Sequence, residues 1–265
     1  MKDQILKHLS PDYPWAERVH FFPTIDSTND HIRALAKAGA PHGTLVIADH
    51  QTGGHGRRGR SFHSPGGMGV YLSILLRPAC QPTELMHLTC AAAVAMCEAV
   101  EKAAGFRPGI KWTNDLVCRN RKLGGILTEL GFTPQGKLDY AILGVGINCL
   151  QQPQDFPPEI RDMAGSLAMM AGREIHREKV AAAMMEALWQ MDSRLLRKKA
   201  HILAEYKAAC MTLHRDVVLV RGEETRYGHA LDLDEDGGLI VRFDDGALET
   251  VNSGEISVRG MYGYV

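Results

Sequence analysis

Residues 110–145 read IKWTNDLVCRNRKLGGILTELGFTPQGKLDYAILGV. Short β-rich runs follow one another here with little between them. Ile110–Trp112 and Leu116–Cys118 lie either side of a strand break at Asn114-Asp115, a polar turn at Arg119–Arg121 returns the chain, and longer strands run through Ile126–Leu130 and Tyr140–Val145. A doubly wound fold would place a helix after nearly every strand. The spacing therefore predicts an α+β domain built on a mixed, largely antiparallel sheet.

Working outward, Thr44–Ala48 (TLVIA) and Val70–Leu76 (VYLSILL) add two buried strands. Flanking helices are predicted over Thr83–Ala104, where Leu85, Leu88, Ala92, Met96 and Ala99 recur at steps of three or four, and along Val180, Met184, Leu188, Met191 and Leu195. Another helix is expected over about Ile202–Met211, and Gln151–Pro158 reads as a proline-rich loop. From Leu213 the pattern changes to five short β runs beginning at Val217, Arg226, Leu239, Ala247 and Glu255, separated by polar or glycine-containing turns. That spacing predicts a small antiparallel β-barrel, and hence two domains, 1–212 and 213–265.

Thirty Lys and Arg against 31 Asp and Glu leave a formal net charge of −1, which argues against a chain living on phosphate backbone. The longest apolar candidate, Leu88–Cys97, is far shorter than the roughly 20 residues a membrane span needs. The N-terminus mixes both charge signs without a signal-type apolar core, so the cytoplasm is the expected location and no membrane partner is expected. None of the six cysteines forms a C-x-x-C pair or a zinc-spaced cluster, and reduced, buried thiols are expected.

Gln51–Arg60 (QTGGHGRRGR) packs four glycines and three arginines into ten residues directly after a strand. Glycine lets backbone approach a ligand, and arginine supplies planar forks for phosphate or carboxylate. The pattern is neither a Walker A loop nor G-x-G-x-x-G opening a helix. A basic surface loop, a nucleic-acid arm and a loop closing over an anionic ligand all remain open on this stretch alone. Lys111-Trp-Thr-Asn-Asp115, Lys122 before Gly124 and Gly125, and Gly144-Val-Gly-Ile-Asn148 are further candidates, each readable in isolation as a turn, an edge lysine or a strand end.

Taken in order, Ser27-Thr28-Asn29, Gly54-His-Gly-Arg-Arg-Gly-Arg60, Lys111–Asp115, Lys122-Leu-Gly-Gly-Ile-Leu127 and Gly144–Asn148 resemble the biotin–protein ligases (biotin–[acetyl-CoA-carboxylase] ligases). The likeness runs from about residue 20 to the C-terminus. His55 stands where the family has an arginine, Thr113 where it has a proline, and Phe62 where some members have tryptophan. Only about twenty residues precede the match, so a form without the helix-turn-helix domain of repressor members, and without a DNA partner, is expected.

The resemblance implies a fold like the class II aminoacyl-tRNA synthetase and biotin synthetase catalytic domain. It also implies attack of biotin on the α-phosphate of ATP, giving biotinyl-5′-AMP, and transfer to a lysine of a biotin carboxyl carrier protein. By the same likeness Lys122, Arg57 and Asp115 are the catalytic candidates. Ser27, Thr28, Asn29, Gln51, Gly54, His55, Gly56, Arg57, Lys122 and Gly125 fall to biotin. Arg57, Arg60, Phe62, Asn114, Lys122 and Asn148 fall to ATP, with Mg²⁺ bridging phosphates and no metal ligands assigned. Monomer and homodimer both stay open. The other readings kept are a lipoyl- or octanoyl-type acyl ligase and, more remotely, a nucleic-acid-binding regulator.

Overall fold

The computed structural model describes residues 1–221, 223–252 and 255–258, the last four by backbone alone. The chain opens with α1 (Lys2–Leu6), β1 (Val19–Ile25), α2 (Thr28–Lys37), β2 (Thr44–Gln51) and β3 (Gly69–Leu76). There follow α3 (Leu88–Ala104), β4 (Gly109–Lys111), β5 (Asp115–Cys118), β6 (Arg121–Phe132) and β7 (Leu138–Asn148). Helices α4 (Leu167–Ala171), α5 (Arg177–Arg194) and α6 (Lys199–Ala209) lead to β8 (Asp216–Arg221), β9 (Glu224–Leu233), β10 (Leu239–Phe243), β11 (Leu248–Val251) and β12 (Glu255–Val258).

Seven strands form one mixed sheet in the order β1-β2-β3-β7-β6-β5-β4, in which only the β1–β2 pair is parallel. The predicted α+β class is the one observed. Alternation divides the two faces. Leu45 and Ile47 of β2, Leu72 and Ile74 of β3, and Leu143 and Val145 of β7 enter the main core with α3 and α5. Residues of the opposite parity, Val46, Leu75 and Ile142, meet Ile32 and Ala36 of α2 on the other face. The face carrying α2 is also where Gly144 and Gly146 open a floor.

Periodicity marks neither β1 nor α2. Pro23 interrupts the β1 run, and is tolerated because β1 is a sheet edge. In α2 only Ile32 and Ala36 are buried among the apolar positions, too narrow a stripe to stand out between charges. Helix α3 begins at Leu88; the expected start at Thr83 is a separate 3₁₀ turn, Pro82–Leu85, closed by a Gln81–Glu84 capping box. Over its whole length Pro82–Ala104 is long and apolar enough to cross a bilayer, but most of it is buried as the central core helix.

The C-terminal strands form an open antiparallel sheet, β11-β10-β9-β8-β12, and among the described residues its end strands do not pair. The expected barrel is therefore not closed. Its apolar side needs no closure, because Val217, Leu219, Ala230, Leu239 and Val241 belong to the same continuous core as α3. The chain near residue 212 is likewise bound to the large sheet: Met211 N–H donates to Ile110 O at 2.8 Å and Trp112 N–H to Thr212 Oγ1 at 2.9 Å. Trp112 Nε1 donates to Gly237 O at 2.9 Å, pinning the β9–β10 turn.

Candidate active site

A cavity of about 170 Å³ lies on the α2 face of the sheet. Its floor is β7 from Gly144 to Gly146 with β6 from Gly125 to Leu127. A Cβ on Gly144 would overlap the Asn29 amide, and one on Gly146 would overlap the Phe62 ring. Glycine at both positions is what lets α2 and the following loop come down onto the strand.

One wall is the N-terminus of α2 with the end of β2. Ser27 caps the helix, its side chain accepting from Asp30 N–H. Thr28 donates from its backbone N–H (2.9 Å) and its hydroxyl (3.0 Å) to Gln51 Oε1, and Gln51 Nε2 donates to Ser64 Oγ at 3.0 Å. Ser73 Oγ, from β3, lies 2.8 Å from Thr28 Oγ1 and 2.5 Å from Asn29 Oδ1. Ser27, Thr28, Asn29, Ser64 and Ser73 are buried, Gln51 is half-buried, and the bonds among them make the wall a preset hydrogen-bonding shelf.

Charge gathers on β5 and β6, which β3 and β7 separate from the Gln51 strand. Lys122 Nζ is 2.7 Å from Asp115 Oδ1. A register shift between Leu116 and Val117 puts Asp115 opposite Gly125, beside the Lys122 ammonium. Beyond the last β6–β7 pair, Gly124–Ile147, residues 163–165 take over as neighbour: Lys122 N–H donates to Met163 O (2.7 Å) and Gly165 N–H to Lys122 O (2.9 Å). Lys122 is thus fixed from both sides.

The glycine–arginine stretch forms a small hairpin over the cavity. Phe62 N–H donates to Gly54 O at 2.8 Å, His55 and Ser61 form a bridge, and Gly56 N–H donates to Arg60 O at 2.6 Å. Its tip turns through left-handed Arg58 and Gly59. Arg57 Nη1 donates to Asn114 Oδ1 at 3.1 Å, while Asn114 Nδ2 donates to Ile126 O at 2.9 Å. Burial lowers the Arg57 pKa from its ordinary value, against the pull of the Asp115 carboxylate. The guanidinium is a cation held partly out of water, where its charge acts most strongly.

The cavity wall brings together Ser27, Thr28, Asn29, Gln51, His55, Gly56, Arg57, Arg60, Phe62, Asn114, Asp115, Lys122 and Gly125. Two expected residues stand outside it. Gly54 closes the neck of the hairpin, where a Cβ would come within 2.7 Å of Phe62 O and Ser64 Oγ. Asn148 is buried at the end of β7, donating to Gly165 O (3.0 Å) and accepting from Gln151 Nε2 (3.3 Å). Its amide is spent on the loop that borders Lys122. Conversely, Lys111 and Trp112 line the cavity without having been assigned a role, Lys111 with only 8% exposure. A lysine ending a strand immediately before Trp and an Asn-Asp break was the available signal.

The match of the Biotin/lipoate A/B protein ligase family covers residues 21–148, and that of the Biotin protein ligase C terminal domain covers 213–259. The "Bifunctional ligase/repressor BirA" of Bacillus subtilis is 36% identical over 244 residues, 90% of this chain and 73% of that protein. The chain belongs to the biotin protein ligase family. Another member, the "Biotin--[acetyl-CoA-carboxylase] ligase" of Mycobacterium tuberculosis, is 30% identical, with 87% of this chain and 85% of that protein aligned. A solved biotin protein ligase from Aquifex aeolicus, in complex with biotin and ATP, superposes with a TM-score of 0.76 at 29% identity, over 91% of this chain and 98% of that one. Within this ligase, then, the cavity joins a hydrogen-bonding shelf to the Lys122–Asp115 ion pair beneath an arginine-bearing hairpin.

Proposed function

We propose that this ligase activates biotin with ATP in the cavity described and passes it to a lysine of a biotin carboxyl carrier protein. The shelf of Ser27, Thr28 and Gln51 supplies the donors and acceptors that a cyclic urea needs in a dry pocket. Lys122 and Arg57 stand where the biotin carboxylate meets the α-phosphate, with Arg60 on the phosphate side. Bringing a carboxylate against a nucleotide polyanion is opposed by charge repulsion. Fixed cations that neutralise it, and that meet the charge growing in the transition state, contribute the largest single effect.

Carboxylate oxygen attacks phosphorus, pyrophosphate leaves, and the mixed anhydride stays under the hairpin, away from water. The carrier amine then attacks the acyl carbon and AMP departs. Asp115 receives the proton the amine must lose, once the adenylate phosphate has taken over its contact with Lys122. Asn114 and Phe62 border the nucleotide. Mg²⁺ entering with the nucleotide would neutralise charge on the phosphate oxygens.

The observation that carries this reading is the Lys122–Asp115 pair and the Arg57–Asn114 contact facing one cavity with the Thr28–Gln51 shelf. Biotin-dependent exchange of labelled pyrophosphate into ATP tests it, with lipoate and octanoate as control acids. Exchange with biotin alone is expected. Exchange only with another acid would move the chain to the acyl-ligase relatives.

A further inference from the structure

Asp30, Arg33 and Glu129 lie outside the cavity wall, yet they form a line of charge that ends on the hairpin. His55 Nε2 is 2.7 Å from Asp30 Oδ2. The other Asp30 oxygen accepts from Arg33 Nη1, and Arg33 Nη2 donates to Glu129 Oε1 at 2.7 Å. The second Glu129 oxygen accepts from Asn29 Nδ2 at 2.7 Å. Asn29 connects through Ser73, Thr28 and Gln51 to Ser64, whose hydroxyl donates to Phe62 O at 2.9 Å. The line leaves the hairpin at His55 and returns to it at Phe62, having crossed α2, β6, β3 and β2.

An exposed ion pair between two free side chains contributes little, because both lose freedom when they meet. Asp30 is different: Arg33 already orients it, and Glu129 orients Arg33. Burial alone would raise the Asp30 pKa, but the bonds from His55 and Arg33 outweigh it and hold the carboxyl below its ordinary value. It is therefore an anion at neutral pH, able to accept a charge-assisted hydrogen bond. The charged groups facing the pair are Arg33 from α2 and, behind it, Glu129 from β6. On the hairpin itself, Arg57 is engaged with Asn114, and Arg58 Nη1 donates to Val220 O at 3.4 Å.

We propose that Asp30 is a positioning residue which, through His55, latches the hairpin shut over the activated biotin. The inference rests on the reading of the cavity as the biotin and ATP site. Its consequence is kinetic. The latch sets how long the adenylate is retained between the two half-reactions, and it leaves the first half-reaction almost untouched, since none of its three supporting residues reaches the cavity.

The test loads the full chain with labelled biotin and ATP, chases with excess unlabelled biotin and ATP, and follows loss of bound adenylate. Asp30→Asn should release about tenfold faster than wild type, the effect of one charge-assisted hydrogen bond. First-turnover pyrophosphate release by that variant should stay near wild type. His55→Arg, a permanent cation, should keep release slow, and only while Asp30 is present. His55→Gln, a change on an exposed loop, gives the same fast release if Asp30→Asn fails to fold. Wild-type release from Asp30→Asn, or from His55→Gln where the first does not fold, overturns the latch alone. Absence of adenylate on the wild type overturns the latch and the reading of the cavity together.

Discussion

On the floor of the cavity, Gly124 faces Ile147 and Gly125 faces Gly146 across two paired strands, and a Cβ on Gly124 would run into the Gly146 carbonyl. On the hairpin above it, His55, Arg57 and Arg58 each reach a different partner: Asp30 on α2, Asn114 before β5 and the backbone of Val220 on β8. The floor is held by backbone ladders and by the absence of side chains. The hairpin closes on itself through backbone bonds, and side chains tie it to α2, Asn114 and β8. Such a floor cannot accept added volume, whereas such a hairpin depends on the chemistry of single groups and can open without unfolding anything. An enzyme that must hold a fixed cation and also admit and release substrates needs both constructions.

The largest effect is expected on the floor. Lys122→Ala removes the ammonium that lies 2.7 Å from Asp115 and should lower biotin-dependent pyrophosphate exchange by about 100-fold or more. A retained rate would shift the burden of charge neutralisation to the hairpin and break the comparison. Next, Gly124→Ala should destabilise the whole fold by about 1–3 kcal/mol in urea unfolding, because the obstacle is backbone in the adjacent strand and cannot rotate away.

Alkali should act on the core below the floor. Burial pushes the Cys90, Cys97 and Cys149 thiols up to about 12, and raises the Tyr13, Tyr71 and Tyr206 phenols as well. The unfolded chain ionises first as pH rises past about 9, so stability present below that pH should fall away between 9 and 12. Thermal unfolding at stepped pH measures this. In native protein at pH 8 the three thiols should resist a thiol-titrating reagent. The smallest effect belongs to the tip of the hairpin: Arg58→Ala loses one long exposed bond and should change stability by less than about 0.5 kcal/mol by urea unfolding. A larger loss would mean the hairpin is built into the fold in the way the floor is.

The strands of the floor were legible because alternation is local. Leu143 and Val145 turn to one face and Ile142 to the other whatever lies against them. The α2 helix was not legible, since its buried stripe is two apolar residues whose partners, Val46 and Leu75, come from other strands. The C-terminal runs were legible as strands, but their closure was not. An isolated sheet would have had to cover its own apolar face, and here the core around α3 covers it. Among site residues, Lys122 and Asp115 were legible as motif members; the β5–β6 register sets Asp115 opposite Gly125 and Lys122 opposite Val117, and their side chains meet at 2.7 Å. Asn148 was read as facing ligand, yet its amide is turned to Gly165.

What the sequence determined by itself, then, was the inventory of chemical groups, the alternation that sorts strand faces, and the family to which the ordered motifs point. Those properties depend on neighbours within a few residues. Tertiary structure alone decided that Asp30 meets His55, that Glu129 braces Arg33, that Lys111 enters the cavity wall and that Asn148 leaves it. Contacts between residues dozens of positions apart are set by the packing of whole elements against one another, and no local period encodes them.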